Sequence, residues 1–110
     1  MSLSLNCLIH GHVQEKLFTV KIEKTENISI LKELIKEKNS SFLKAVDASD
    51  LVLWMVNLRL DELGVEPVHV NLDTYLKLSP RKKLSSFFNG TVPVDDELLH
   101  VIAKAPGMSH

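Results

Sequence analysis

Few side chains in the sequence could do chemistry, and they are scattered along the chain. The single cysteine, Cys7, lies in an alternating segment on the same side as Leu3 and Leu5, so we expect a buried, unreactive thiol. His10 and His12 flank a glycine and could converge on a metal ion, but two ligands without a third make a weak site. The sequence therefore predicts no metal site.

Charged runs form the second group of candidates. The acidic run Asp95-Asp96-Glu97 lacks the spacing of a calcium-binding loop, which favours a solvated loop. One cluster of cations stands in the second half of the chain, at Lys77, Arg81, Lys82 and Lys83. A solvated face is the simpler interpretation of this cluster, and nuclear import or phosphate contact is the functional one. The four glycines are too scattered for a phosphate loop, and no nucleophile–base motif is present, so we expect a non-enzyme without a cofactor.

Composition points to one globular domain. The chain has 110 residues, is 45% apolar and 25% charged, and carries a formal net charge of −1. These values exclude a disordered chain, and the near-neutral charge argues against a nucleic-acid-binding domain. No apolar run approaches the ~18–20 residues of a membrane span. The first nine residues carry no positive charge and do not resemble a secretory signal peptide, and one cysteine excludes an internal disulfide.

The elements that must position these side chains begin with a predicted hairpin. Residues 3–9 alternate, with Ser4 and Asn6 facing away from Leu3, and residues 17–22 alternate again and are rich in β-forming side chains. Gly11 suits the turn between them, and the polar residues 14–16 predict a loop longer than two residues.

A helix is predicted to follow the hairpin. Asn27 is a good N-cap, and charged residues, Lys32 among them, occupy one side of the segment behind it. The helix should end near Asn39 and Ser40, and residues 41–46 could form one or two further turns. The apolar stripe at helical spacing consists of Ile28, Leu31, Leu34 and Ile35, with Ile30 widening it.

The second half of the chain is predicted to hold further strands and a short helix. Residues 51–56 are apolar at every position, which is typical of a strand with both faces buried. A bend at Asn57 should separate them from a short strand that contains Leu58 and Leu60, and residues 64–73 predict a loop with an extended portion. Ser79-Pro80 predicts the start of the short helix and Asn89-Gly90 its end, and residues 98–103 predict the last strand.

This order of elements predicts an α+β fold of the β-grasp, or ubiquitin-like, type. One main helix packs on one face of a mixed sheet, with a short second helix beside it. Residues 1–106 are expected to form this domain and residues 107–110 a flexible tail. In the strand at residues 51–56, Leu53 should face the main helix, and the opposite face is either covered by loops or exposed as a contact patch. The candidate contact residues are Val52, Trp54 and Val56.

At this strand the sequence resembles a known family. The segment Leu51-Val52-Leu53-Trp54-Met55-Val56-Asn57 resembles the LxLFLAK motif of Crinkler effectors, and the register also fits at residues 18–22, 30–36, 78–84 and 100–102. The resemblance covers nearly the whole chain, from Met1 to about Pro106. Both leucines of the motif are kept, whereas residues 54–57 read Trp-Met-Val-Asn where the oomycete motif has Phe-Leu-Ala-Lys. The strand survives every change, so we interpret the motif as first a structural element.

The resemblance implies the N-terminal domain of a modular secreted effector, of the kind that filamentous plant pathogens and related fungi deliver into host cells in virulence or symbiosis. In that family the N-terminal domain is ubiquitin-like and associated with trafficking or translocation, while variable C-terminal domains carry the activity, often in the host nucleus. The chain resembles the N-terminal domain alone, so we expect a non-catalytic domain that contacts protein partners or self-associates as a homodimer. The alternative is an intracellular ubiquitin-like adaptor that docks on a partner through its sheet. We do not expect a conjugated modifier unless processing is unusual, because residues 105–110 lack a terminal Gly-Gly.

Overall fold

The computed structural model describes residues 2–64, 71–87 and 97–105, and these form one five-stranded mixed sheet with one α-helix. The elements are β1 (Ser2–Ile9), β2 (Phe18–Glu23), α1 (Ile28–Lys38), β3 (Val52–Arg59), β4 (Leu76–Lys77) and β5 (Leu98–Lys104). The strand order is β2-β1-β5-β3-β4, with β1 and β5 parallel and the other neighbours antiparallel. The predicted ubiquitin-like β-grasp is confirmed.

The hairpin of β1 and β2 follows the predicted alternation. Leu3 lies opposite Ile22, Leu5 opposite Val20 and Cys7 opposite Phe18, so the apolar side chains of both strands share one face. The connection is longer than two residues and contains the 3-10 turn Gln14–Lys16.

Helix α1 begins at its predicted cap. The Asn27 side chain accepts hydrogen bonds from the Ile30 amide at 3.3 Å and from the Ser29 hydroxyl at 2.6 Å, which satisfies one of the amides left open at a helix start. The helix ends where the Asn39 side chain donates to the Ile35 carbonyl at 2.9 Å. Within the described residues, no helix has the length and apolar content to cross a membrane.

The sheet buries side chains on both faces. The main core lies between α1 and the sheet, where Ile28, Leu31 and Ile35 of the helix pack with Leu5 and Leu53 of the strands, all fully buried. On the opposite face, which we call the outer face, a second cluster forms without a helix. Its buried members are Leu8, Val56, Leu72, Leu99 and Ile102.

The predicted short fourth strand is wrong: residues 58 and 59 belong to the same strand as residues 52–57. The register against β5 shifts between Met55 and Leu58, which is a β-bulge, and Leu60 begins the 3-10 turn Leu60–Glu62. The predicted bend at Asn57 is the bulge itself. Asn57 has a φ of 50°, in the left-handed region that asparagine tolerates better than most residues.

The second helix does not begin at Ser79-Pro80. It is the single 3-10 turn Leu84–Ser86, because the preceding backbone is bonded elsewhere. The Lys82 carbonyl accepts from the Ile28 amide at 2.9 Å, and the Leu84 amide donates to the Glu26 carbonyl at 2.8 Å. These groups would be needed for helical bonds. The predicted stop at Asn89-Gly90 lies outside the described residues.

Smaller departures follow from tertiary packing. Residues 41–45 form turns rather than helix, and they bury Leu43 while leaving Phe42 exposed. Lys32, predicted on the solvent face, is buried, and this burial lowers its pKa, with nearby Lys77 acting in the same direction. Asn6 is also buried, because it takes part in a polar network described below. The extended portion predicted within residues 64–73 lies mostly outside the described residues, as does the tail at 107–110.

Replacement of Leu53 by alanine tests the main core. Leu53 is fully buried against α1, so Leu53→Ala should lower the free energy of unfolding by about 2–5 kcal/mol through lost burial and a residual cavity. Urea denaturation measures the change. Leu76→Ala is the matched control, because Leu76 is 50% exposed on the neighbouring strand and its truncation should stay within about 0.5 kcal/mol. Equal effects of the two substitutions would show that Leu53 is not a core residue.

Candidate functional site

The motif-like segment at residues 51–57 lies in and beside β3, between β5 and β4. Its two leucines, Leu51 and Leu53, are buried in the main core. The Leu53 carbonyl accepts a hydrogen bond from the Leu78 amide at 2.8 Å, so the segment is also held through its backbone. In the folded domain these leucines hold α1 on the sheet and are not available to a partner.

The candidate contact residues all lie on the outer face, but their exposure differs. Val56 is buried, whereas Val52 and Trp54 are partly buried. Trp54 packs at the margin of the outer-face cluster. It lies directly opposite the buried Ile102 of β5, which in turn pairs with the buried Leu8 of β1. A partner could therefore reach Trp54 and Val52 without rearrangement, and Val56 only if its cover moved.

Segments that follow β3 provide the cover of the outer face. Leu72, in the 3-10 turn Leu72–Thr74, is buried in the cluster, and Leu60, Leu63 and Tyr75 pack against it. Cover by loops is one of the two alternatives that the sequence leaves open for this face, and the apolar residues Leu72 and Tyr75 of the following segment provide part of it.

Two cations flank the accessible part of the outer face. Lys77 of β4 lies directly opposite Trp54, and Lys104 of β5 lies directly opposite Val52. Directly paired residues of neighbouring strands share a face, so each lysine stands beside one of the two partly buried apolar side chains. The result is an apolar centre with a positive margin.

The predicted basic cluster is exposed at all four positions. Lys77 ends β4, and Arg81, Lys82 and Lys83 continue through the turn that follows. The acidic run lies largely outside the described residues. Its last member, Glu97, is exposed and accepts a backbone hydrogen bond from Leu60 at 3.0 Å.

The two histidines do not form a metal centre with other described residues. Among the described residues, no group of three His, Cys, Asp or Glu side chains could hold a metal ion. The His12 ring packs edge-on against Phe42, with ring centroids 4.6 Å apart, and partial burial together with Lys16 lowers the pKa of His12. Beside this pair lies an open groove of about 270 Å³, lined by His12, Lys16, Lys38, Asn39, Ser40, Ser41 and Phe42.

The His12 ring is not bonded to a hydroxyl of this groove: in the described part of the chain, no hydrogen bond joins His12 to Ser40 or Ser41. The sequence did not indicate this groove, because its lining comes from the β1–β2 loop and the turn after α1.

A buried polar network joins the chain's two ends. The Asn6 amide donates to Nδ1 of His100 at 2.9 Å, and the Asn6 side chain donates to the Leu98 carbonyl at 2.8 Å. The same side chain accepts from the Thr19 hydroxyl at 2.9 Å. The backbone pairing of β1 with β5 begins at Cys7 and Val101. One residue before it, the His100 imidazole accepts the hydrogen bond of the Asn6 amide in place of a backbone carbonyl. Sequence periodicity could not reveal a bond between residues 94 positions apart.

Cys7 is fully buried in the main core, as predicted. Burial raises the pKa of its thiol far above the ordinary cysteine value, because the thiolate would lose its hydration. The thiol lies 3.5 Å from the Leu5 carbonyl, which it approaches as a weak donor. This is the environment of an inert structural thiol.

Comparisons with known proteins point to one family. A family model described as the Crinkler effector protein N-terminal domain matches residues 3–104. The chain is also 32% identical over 106 residues to "Crinkler effector protein 1" of Rhizophagus irregularis, an alignment that covers 96% of this chain and 22% of that protein. The chain therefore spans about a fifth of the length of the curated relative it matches.

Alkylation of Cys7 tests whether this residue is buried in the main core. At a pH of about 8.5, where a free cysteine is half ionised, Cys7 should not react with iodoacetamide in the folded protein and should react fully in denaturant. Mass spectrometry of the intact chain counts the labels. Ser86→Cys, at an exposed position, provides a reactive control that should take one label while folded. Rapid labelling of Cys7 in the folded wild type would contradict its burial.

Proposed function

The chain belongs to the family of Crinkler effector N-terminal domains, and from this premise we propose that it is the non-catalytic leading domain of a secreted effector that acts inside host cells. The whole effector's activity would then reside outside this chain, since the matched relative is several times longer. The observation that carries the proposal is the match over residues 3–104, in which the motif-like segment is a packed strand rather than a catalytic element.

Trafficking into host cells is proposed to depend on the folded domain rather than on a linear motif. The buried positions of Leu51 and Leu53 support this, because a receptor could read them only after the domain had unfolded. A domain of this size holds only about 5–15 kcal/mol of stability, so one large core truncation could use up much of it. Mislocalisation of a variant truncated in the motif would then reflect unfolding.

The contact surface is proposed to be the accessible part of the outer face, with Trp54 as its centre. Tryptophan is among the residues most enriched at binding hot spots. Lys77 and Lys104 beside the apolar centre favour a protein partner with an acidic surface around an apolar anchor. Two copies meeting through this face would bring like charges together, so a foreign partner is favoured over a homodimer.

The same surface would serve an intracellular ubiquitin-like adaptor. The family match favours the N-terminal domain of an effector over that alternative. Nuclear action of the whole effector would be consistent with the exposed basic cluster at residues 77–83.

Truncation of Trp54 tests the contact surface. Because Trp54 is only partly buried, Trp54→Ala should lower the melting temperature by about 4–8 °C, equivalent to about 1 kcal/mol, while weakening partner binding by at least about 30-fold. Thermal melting measures stability, light scattering after size exclusion measures the state of assembly, and affinity capture from host extract measures partner binding. Phe42→Ala is the control, because Phe42 is an exposed aromatic residue beside the groove and away from the outer face. A large loss of stability without any change in assembly or binding would assign Trp54 to the core.

Assays for turnover test the non-catalytic assignment. The isolated domain should hydrolyse no nucleic acid, nucleotide or ester substrate above the buffer rate, with or without added divalent metal. Metal-dependent turnover that His10→Ala or His12→Ala abolishes would overturn the assignment and would identify the β1–β2 loop as its site.

A further inference from the structure

Ser79-Pro80 does not begin a helix, although the sequence predicts one there. Residues 79–82 instead form an exposed turn, in which the Lys82 amide donates to the Ser79 carbonyl at 3.1 Å. Pro80, Arg81 and Lys82 are exposed and Ser79 is partly exposed. Among the described residues, the Ser79 hydroxyl has no hydrogen-bond partner.

The turn lies between two buried residues whose backbone amides are hydrogen-bonded to other parts of the domain. Leu78 is buried and bonded to the Leu53 carbonyl, and Leu84 is buried and bonded to the Glu26 carbonyl. Between them, one backbone hydrogen bond closes the turn, and the Lys82 carbonyl is held by the Ile28 amide. Opening the turn therefore breaks one exposed hydrogen bond and leaves the core packed, which is how a surface loop opens locally.

The order Ser79-Pro80-Arg81-Lys82 has the chemistry of a kinase substrate. Some kinases offer no hydrogen-bond acceptor to the backbone amide of the residue that follows the phosphorylated serine. Proline fits there because it has no N–H, whereas any other residue would have an unsatisfied amide. Lys82, three positions after the hydroxyl, supplies a cation for an acidic or phosphorylated group of the kinase.

The chain offers such a kinase a single acceptor. Its four prolines are preceded by Glu66, Ser79, Val92 and Ala105, so only one of them follows a hydroxyl side chain.

We propose that Ser79 is the phosphate acceptor of a proline-directed serine/threonine kinase that selects a basic residue three positions later. The Ser79 Oγ attacks the γ-phosphorus of MgATP bound to that kinase. A new O–P bond forms as the bond from the γ-phosphorus to the β–γ bridging oxygen breaks, ADP leaves, and the hydroxyl proton passes to the catalytic carboxylate of the kinase. The kinase and MgATP are external, and the proposal does not depend on what the outer face contacts.

The phosphate would change the charge of the basic cluster. Lys77, Arg81 and Lys82 lie within three residues of Ser79, and all are exposed. A phosphoserine adds about −1.5 to −2 charges at neutral pH, so the cluster of four cations would keep about half of its positive charge. The modified chain should bind polyanions less strongly than the unmodified one.

Phosphate transfer to the intact chain tests the proposal. The folded protein is incubated with MgATP and a cyclin-dependent kinase–cyclin complex, and phosphates are counted and located by mass spectrometry. We expect one phosphate, on Ser79, with none in Ser79→Ala and an initial rate at least about tenfold lower in Pro80→Ala and in Lys82→Ala. Ser86→Ala, in the same segment, should be phosphorylated like the wild type. Matching melting curves would show that the variants remain folded.

A second measurement tests the charge effect. The phosphorylated chain should elute from a heparin column at lower salt than the unmodified chain, while Ser79→Ala treated with the kinase should not shift. A peptide of residues 74–86 verifies that the kinase is active on this segment. The proposal is overturned if the peptide is modified and the folded chain is not, if the phosphate lies elsewhere, or if elution does not change.

Discussion

Burial of β3 on both faces is the constraint on which the rest of the domain depends. On one face Leu53 meets Ile28, Leu31 and Ile35 of α1, and on the other Val56 lies in the outer-face cluster. Fully burying one such aliphatic side chain is worth about 1.5–3 kcal/mol, a large fraction of the stability of a small domain. A continuous apolar run satisfies this constraint, and a run of strictly alternating polarity would not.

Because both faces of β3 pack against other residues, its side chains divide into those that stabilise the core and those that a partner could contact. Successive side chains alternate between the faces, so Leu51 and Leu53 serve the core while Val52 and Trp54 reach the outer face. Loops rather than a second helix cover that face, and they leave its margin open beside Lys77 and Lys104. A domain built in this way can keep its strand for folding and vary its margin for contact. In this chain the last motif position is Asn57, whose positive φ at the bulge suits asparagine better than the lysine of the oomycete motif.

The parts of the fold that the sequence predicts are those set by local patterns. Alternation located the β1–β2 hairpin, the Asn27 cap and the apolar stripe located α1, and the uniform apolar run located β3. Contacts between distant segments decided the rest. The bulge at Asn57 depends on the register with β5, and Ser79-Pro80 cannot start a helix because Lys82 and Leu84 are bonded to residues 26–28. Alternation alone assigns Asn6 to a polar face, but its partners lie on β2 and β5. For the candidate site, alternation predicts that Trp54 lies on the face opposite Leu53, but it leaves open how far loops cover that face, because this depends on how residues 60–63 and 72–75 pack.

Native-state hydrogen exchange is the most direct test of whether β3 unfolds only together with the whole domain. The alternative is that β3 opens locally and exposes its motif to a receptor. The backbone amides of residues 52–56 that pair with β5 should exchange only through global unfolding. Their exchange free energy should therefore equal the unfolding free energy from denaturation, as should that of the β1 amides paired with β2. Exchange of β3 through a local opening several kcal/mol below the global value, with β1 still protected, would contradict the account.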